Sequence, residues 1–334
     1  MKEDYSITIE KALVGVPKGT FEIESYASPH AETPLLTNHL DTQTEGKGKI
    51  EAFLIYPGIE VSFNQFLADK VLFHHEAINS VLEITHCRMG RVGWNMKSGI
   101  SVYLGTGDLA LHSMDCCADS DMTLPLGYYE GITISIDLNI LADNSPEILK
   151  EGSFNARQLY EKFCTQGKPA AIPSSSEIDR IFSSLYDLPD QLRIPYYKLK
   201  VQELLLYLSR INPAGEKELT QYFSQQTELI KEIHGLLTHH LDQRFTIEEL
   251  SKQYLINTSS LKAVFKAVYG LPIATYMKEY RVKQAKKLLR TTDDSIADIA
   301  SSVGYETQGK FTNAFKNIVR MLPTEYRKQH RSQE

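Results

Sequence analysis

The sequence predicts an α+β protein: a β-rich N-terminal part, a helical connection and an all-α C-terminal part. Three observations predict it. Residues 1–145 hold short runs rich in Val, Ile, Thr and Tyr, separated by glycine-containing turns. From Pro146 the apolar residues recur at helical spacing. Residues 218–334 read as helical throughout and contain no low-complexity segment. The expected domains are therefore 1–145, a connecting or dimerising segment at 146–217, and 218–334.

In the first part, "SVLEITHCR" (80–88), "GISVYLGTGDLALHS" (99–113) and "GITISIDL" (131–138) read as strands of a sandwich or small barrel. Alternation in "SVLEITHCRMGRV" sets Leu82, Ile84, His86 and Arg88 on one face. A His and an Arg on an otherwise apolar face suit an anionic or metal-bearing ligand. Trp94 and Tyr103 are candidate aromatic walls. In the second part, "PEILKEGSFNARQLYEKFC" and "SSSEIDRIFSSLYDL" read as helices. "YYKLKVQELLLYLSRI" carries Leu199, Leu204 or Leu205, and Leu208 at helical spacing. "NPAGE" (212–216) breaks the chain before the third part.

A chain of 334 residues can bury two cores. Its 42% hydrophobic and 23% charged residues are those of a folded protein. "MKEDYSITIE" lacks a basic segment followed by an apolar run, and no stretch approaches the roughly 18–20 apolar residues that span a bilayer. A cytoplasmic location without membrane contact is the expectation. Cys87, Cys116, Cys117 and Cys164 include no C-x-x-C pair and read as free thiols. The formal net charge of −6 is unevenly spread. Residues 220–334 carry 17 Lys and Arg against 12 Asp and Glu, a balance of +5, which leaves −11 on residues 1–219. A basic C-terminal third points to a polyanionic partner for that third.

The third part holds two helix–turn–helix units, at about 246–269 and 295–319. In "RFTIEELSKQYLINTSSLKAVFKAVYG", Thr246 and Glu249 form a capping box, with Ile247 and Leu250 facing inward. Asn257 is positioned to cap the second helix, whose inner face is Leu261, Val264, Phe265 and Val268. Gly270 stops it. In "SIADIASSVGYETQGKFTNAFK" the plan repeats. Ser295 and Asp298 cap, Ile296, Ile299 and Val303 face inward, and Gly304 turns the chain. Phe311, Phe315 and Ile318 anchor the last helix, leaving Gln308, Lys310, Asn313 and Lys316 outward. "PIATYMKEYRVKQAKKLLR" (272–290) joins the units as one helix of about 27 Å. With the flanking helices, the two outward faces fall about one DNA turn, ~34 Å, apart. Gln and Asn pair with adenine and Lys with guanine. Lys266, Lys316 and the helix N-termini, with Asn257 and Thr307, suit phosphates.

Residues 225–330 resemble the DNA-binding domain of the AraC/XylS transcriptional regulators. The resemblance is carried by "FTIEELS", "SSLKAVFKAVYGLPIATYMKEYRVKQAKKLL" and "IADIASSVGYETQGKFTNAFKNIVRMLPTEYR". It implies base contacts at Ser259, Lys262 and Ala263, and at Gln308, Gly309, Lys310 and Asn313. Ala263 replaces an often longer side chain, and Arg320 and Leu322 replace a usual Gly and Thr or Ser. The path at 320–323 is thereby put in question. The resemblance further implies a cupin-like barrel that senses a small molecule, a homodimer, and contact with RNA polymerase. "ITHCRMGRVGW" and "YYKLKVQELLLYLSRI" are similar to members that sense iron-loaded siderophores.

The expected function is thus a ligand-responsive activator that binds double-stranded DNA through two successive major grooves. Two alternatives stand beside it: a cupin-type metal-dependent enzyme with a regulatory DNA-binding domain, and a ligand-free dimeric regulator. Against the enzyme, adjacent His74 and His75 in "HHEAINS" point to opposite faces of a strand. No G-x-S-x-G, H-E-x-x-H or P-loop occurs, so no cofactor, metal or catalytic residue is expected.

Overall fold

Alternating and continuous apolar runs build two sheets, and 3.6-residue periodicity builds the helices that cover one of them. The computed structural model describes residues 5–27, 41–74, 80–96, 98–116, 120–163, 169–212 and 219–331. In chain order the elements are α1 (Tyr5–Ala12), β1 (Thr20–Ala27), β2 (Asp41–Gln43), β3 (Lys47–Tyr56), β4 (Ile59–Leu67), β5 (Lys70–His74), β6 (Val81–Gly90), β7 (Val92–Asn95), β8 (Ile100–Leu104), β9 (Leu109–Ser113), β10 (Ser120–Thr123) and β11 (Tyr129–Asp137). There follow α2 (Leu138–Asn144), α3 (Glu147–Glu151), α4 (Ala156–Phe163), β12 (Ala170–Ile172), α5 (Ser176–Phe182), α6 (Asp190–Arg210) and β13 (Tyr222–Phe223). The last helices are α7 (Ser224–His239), α8 (Ile247–Gln253), α9 (Thr258–Tyr269), α10 (Ile273–Thr291), α11 (Ile296–Ser302), α12 (Gln308–Val319) and α13 (Pro323–His330). The chain is mixed α+β, and its two units part between Ser224 and Gln225.

In the first unit, one sheet runs β1-β3-β4-β11-β6-β9-β12 and the other β13-β8-β7-β10-β5-β2. Among the described residues β1 pairs with β3 in parallel and the other ladders are antiparallel. The seven-stranded sheet buries both faces, for different reasons. Its outer face, with Val61, Ile84, Leu111, Ile132, Ile134 and Ile136, packs under α4, α5 and α6 in one apolar cluster. Each such fully buried aliphatic side chain contributes about 1.5–3 kcal/mol. Its inner face meets the six-stranded sheet: Ile50, Phe66, Cys87, Ala110 and Tyr129 pack against Val71, Val92, Trp94 and Val102.

Several expectations are corrected here. α1, β12 and β13 were not expected, and β13 puts a strand inside the part read as wholly helical. The run at 99–113 is two strands, β8 and β9, because the chain turns at 105–108, where the Asp108 carboxylate accepts the Gly105 N–H at 2.7 Å. Leu199 is 64% exposed. The buried stripe of α6 is Tyr197, Val201, Leu204, Leu205 and Leu208. Of the break expected at 212–216, residues 213–216 lie outside the described residues.

In the second unit, α10 packs on α9, α11, α12 and α13. Its core holds Val282, Ala285, Leu289, Ile299, Val303, Phe311, Phe315 and Tyr326. Ile318 is 38% exposed, so it does not anchor α12; Ala314 takes a buried place on that helix instead.

Candidate functional site

The starts of α8, α9 and α11 are fixed by the residues expected to fix them, and that of α12 by Thr307, which was not expected as a cap. Thr246 accepts the Glu249 N–H at 3.1 Å, and Glu249 accepts the Thr246 N–H at 2.7 Å. These bonds hold the Glu249 carboxyl below its usual range. Asn257 caps α9 by accepting the Ser260 N–H at 2.8 Å. Ser295 caps α11 through the Asp298 N–H, and Thr307 caps α12 through the Lys310 N–H at 3.2 Å. Gly270 ends α9 at φ 82°. Arg320 ends α12 at φ 67°, the left-handed turn a glycine there would adopt without a Cβ conflict. The chain therefore turns at 320 despite the substitution, and Leu322 opens α13.

With one stripe of each helix buried, the opposite stripe is open. Ser259, Lys262, Ala263 and Lys266 are all exposed on α9. Gln308, Gly309, Lys310, Asn313 and Lys316 are exposed on α12, as are the caps Asn257 and Thr307. A Cβ at Gly309 would meet no atom within 4 Å, so the backbone there is open to a close approach. This surface is rich in donors, which suits recognition of an extended, anionic partner.

Three residues that sequence reasoning did not single out tie this surface together. Arg281, half-buried on α10, donates to the carbonyls of Leu241 at 3.0 Å, Gln243 at 3.1 Å and Gly304 at 3.1 Å. It bonds the turn before α8 to the turn between α11 and α12. Arg244 donates to Glu306 at 2.8 Å, and the second oxygen of that carboxylate holds the Lys310 ammonium. Lys310 and Arg244 hold the Glu306 carboxyl below its usual range. The i,i+4 spacing of Glu306 and Lys310 was readable in the sequence; the reach of Arg244 and Arg281 was not. Behind α9, His234 stacks on Tyr269 at 4.2 Å and bonds the Tyr276 hydroxyl at 2.8 Å, and burial pushes its pKa down to about 4.

In the first unit the four candidate ligand residues do not converge. His86 lies on the outer face, stacked on Phe182 at 4.2 Å, with its Nδ1 2.6 Å from the Tyr186 hydroxyl. Burial, with Arg88 nearby, pushes its pKa down to about 3. Arg88 sits at a bulge between β6 and β11, donates to Glu130 at 3.1 Å and Asp187 at 2.6 Å, and lies 4.7 Å above the Tyr186 ring. Trp94 points into the space between the sheets. Its neighbour on the strand, Gly93, faces the other way and makes room for Tyr103, whose ring a Cβ at Gly93 would meet at 2.4 Å.

The inner face of the seven-stranded sheet is polar where a core would be apolar. Cross-strand pairing aligns Ala52, Ser62, Thr133, Thr85 and Ala110 in one row. The next row is Leu54, Glu60, Ser135, Glu83 and His112. Thr85 and Thr133 hydroxyls meet at 3.2 Å, Asn64 reaches the Ser62 hydroxyl at 3.2 Å, and His112 lies 3.6 Å from Glu83. Thr133 stands on the central strand, faces inward and yet keeps partial exposure. The Tyr129 hydroxyl is buried beside Gly131, one row away, without a hydrogen-bond partner among the described residues. Period-2 alternation in "IEVSFNQF" and "YEGITISID" carries this pattern and sequence reasoning passed over it. Cys87 and Cys116 are buried free thiols, whereas Cys117, Cys164 and His75 lie outside the described residues, as does the side chain of His74. Among the described residues no group of three His, Cys, Asp or Glu is placed to hold a metal, and no helix is long and apolar enough to cross a membrane.

A family model described as a helix-turn-helix domain matches residues 250–329. The chain is 26% identical over 165 residues to the melibiose operon regulatory protein of Escherichia coli strain K12, covering 46% of this chain and 53% of that protein. It is 31% identical over 98 residues to the HTH-type transcriptional activator RhaR of Mannheimia succiniciproducens, covering 29% of this chain and 36% of that one. The chain thus spans about half or less of the length of these relatives. Among solved structures, an AraC-type transcriptional regulator from Chromobacterium violaceum is 21% identical with a TM-score of 0.31, covering 33% of this chain and 99% of that one.

Proposed function

We propose, starting from a C-terminal unit that is a helix–turn–helix domain of the AraC type, that this chain is a sequence-specific transcriptional regulator of double-stranded DNA. The observation that carries the reading is the pair of capped helices, α9 and α12, each with one buried stripe and one open polar stripe, joined by α10. On this reading they enter two successive major grooves. Ser259, Lys262, Gln308, Lys310 and Asn313 meet base edges, Ala263 and Gly309 allow close approach, and Asn257, Lys266, Thr307 and Lys316 meet phosphates. Lys310→Ala is expected to cost about 1–3 kcal/mol on a duplex recovered by selection from a randomised pool and much less on a scrambled duplex. Titration of both duplexes checks it; equal losses would reduce Lys310 to a phosphate contact.

A second layer of the reading is a cytoplasmic, dimeric activator whose polymerase contact responds to a small molecule; the first unit bears on the small molecule alone. The two polar rows between the sheets are the supporting observation, with Trp94 as the facing apolar wall. They offer a seat between the sheets; on the outer face Arg88 is bonded to Glu130 and Asp187, and His86 bonds Tyr186 through Nδ1 while its Nε2 is buried without a hydrogen-bond partner among the described residues. The check is thermal unfolding of the full chain with sugars, aromatic acids, bile acids, metals and ferric siderophores. A ligand at about 100 times its Kd adds about 2.7 kcal/mol of stability. The expected result is a saturable upward shift with one class that Thr133→Val removes. No shift with any class would favour a ligand-free dimerisation module, and turnover with bound metal would favour the cupin-type enzyme.

A further inference from the structure

Glu306 is an anion placed among the groups that the reading above offers to a polyanion. It immediately precedes the cap of α12 and is about half exposed. One carboxylate oxygen accepts from Arg244 at 2.8 Å, and the other holds the ammonium of Lys310, four residues along the chain in the first turn of α12. Both cations are themselves more than half exposed, at 57% and 61%. Exposed ion pairs of this kind contribute little, so Lys310 can leave Glu306 for a better acceptor. A phosphate in water is not a better acceptor, because it exchanges one solvated oxyanion for another. A guanine edge is better, because O6 and N7 together offer two acceptors inside a desolvated groove. When Lys310 leaves, Arg244 remains on Glu306, so the incoming duplex does not meet a bare carboxylate.

We propose that Glu306 is a specificity-setting residue of the second unit: it competes with phosphates for Lys310 and releases it to a base edge, while Arg244 keeps its charge balanced. The proposal rests on the DNA-binding reading. The test uses the full chain as wild type, Glu306→Gln, Arg244→Ala and the double variant. Each is titrated across a salt series on a duplex that the wild type selects from a randomised pool and on a scrambled duplex of equal length. Glu306→Gln is expected to tighten the scrambled complex about threefold or more and the selected one less than about twofold. Its salt slope on scrambled DNA should steepen by about 0.9, the contribution of one further neutralised phosphate. Arg244→Ala should weaken the selected complex about threefold, and adding Glu306→Gln should restore it. Equal tightening on both duplexes with an unchanged slope, or a double variant no better than Arg244→Ala, overturns the role given to Glu306. A wild type that enriches no duplex overturns the DNA-binding reading itself, a result distinguishable from either.

Discussion

Gly304→Ala is expected to destabilise the second unit by about 2–5 kcal/mol. Two effects add. Gly304 has φ 81°, where a Cβ costs about 1–2 kcal/mol. The added Cβ would also lie 1.9 Å from the Leu241 carbonyl oxygen and 2.8 Å from the Arg281 guanidinium carbon. The first of these is backbone and cannot swing aside, so the chain must move, at about 1–3 kcal/mol. Denaturant unfolding of the full chain should show a lower midpoint with an unchanged slope for the transition of this unit. A midpoint equal to the wild type's would mean that the turn between α11 and α12 has room the structure does not show.

The same node predicts the second large effect. Arg281→Met keeps most of the side chain's length and apolar stem but removes donors to three carbonyls. Hydrogen bonds from charged groups contribute about 1.5–3 kcal/mol each when both partners are shielded, and these carbonyls regain some water. A net loss of about 2–4 kcal/mol is therefore expected in the same unfolding experiment. Arg281→Lys should recover only part of it, because a point charge cannot fork to three acceptors. The DNA readout should move too. Arg281 ties the turn that leads into the first recognition unit to the turn inside the second, so its loss should weaken a two-groove duplex more than a one-groove duplex. Equal weakening on the two would make Arg281 a stability residue alone.

Why the second unit was the legible half follows from its physics. Thr246 with Glu249, Asn257, Ser295 and Gly270 act within three or four residues of themselves, so their roles are written locally, and each is found where the spacing put it. Leu261, Val264, Phe265 and Val268 needed only the helical period. Ile318 fitted the period and failed because Val319, the next residue, takes the inward place in the last turn and packs against the core. Arg281 was invisible for the opposite reason: its three partners lie 23 to 40 residues away. The first unit shows the same division. Alternation placed Leu82, Ile84 and His86 on one face correctly, yet it could not say which layer that face meets. Phe182 and Tyr186, about a hundred residues on, pack the His86 ring and bond its Nδ1, surroundings that alternation along one strand does not carry. Arg88 drops out of register because of the bulge opposite Glu130 and Gly131, which no period announces.

Arg320 carries a consequence for how this chain can change over generations. Its left-handed backbone at φ 67° holds about 1–2 kcal/mol that a glycine would not. A single nucleotide change converts several arginine codons to glycine. The second unit therefore keeps a stabilising step one mutation away, at an exposed position outside both recognition helices' open stripes. Such a step offsets a moderately destabilising change elsewhere in the unit. Altered base preference at Gln308 or Asn313 is thus open to this lineage without a prior gain in stability, because the compensating change is already within reach.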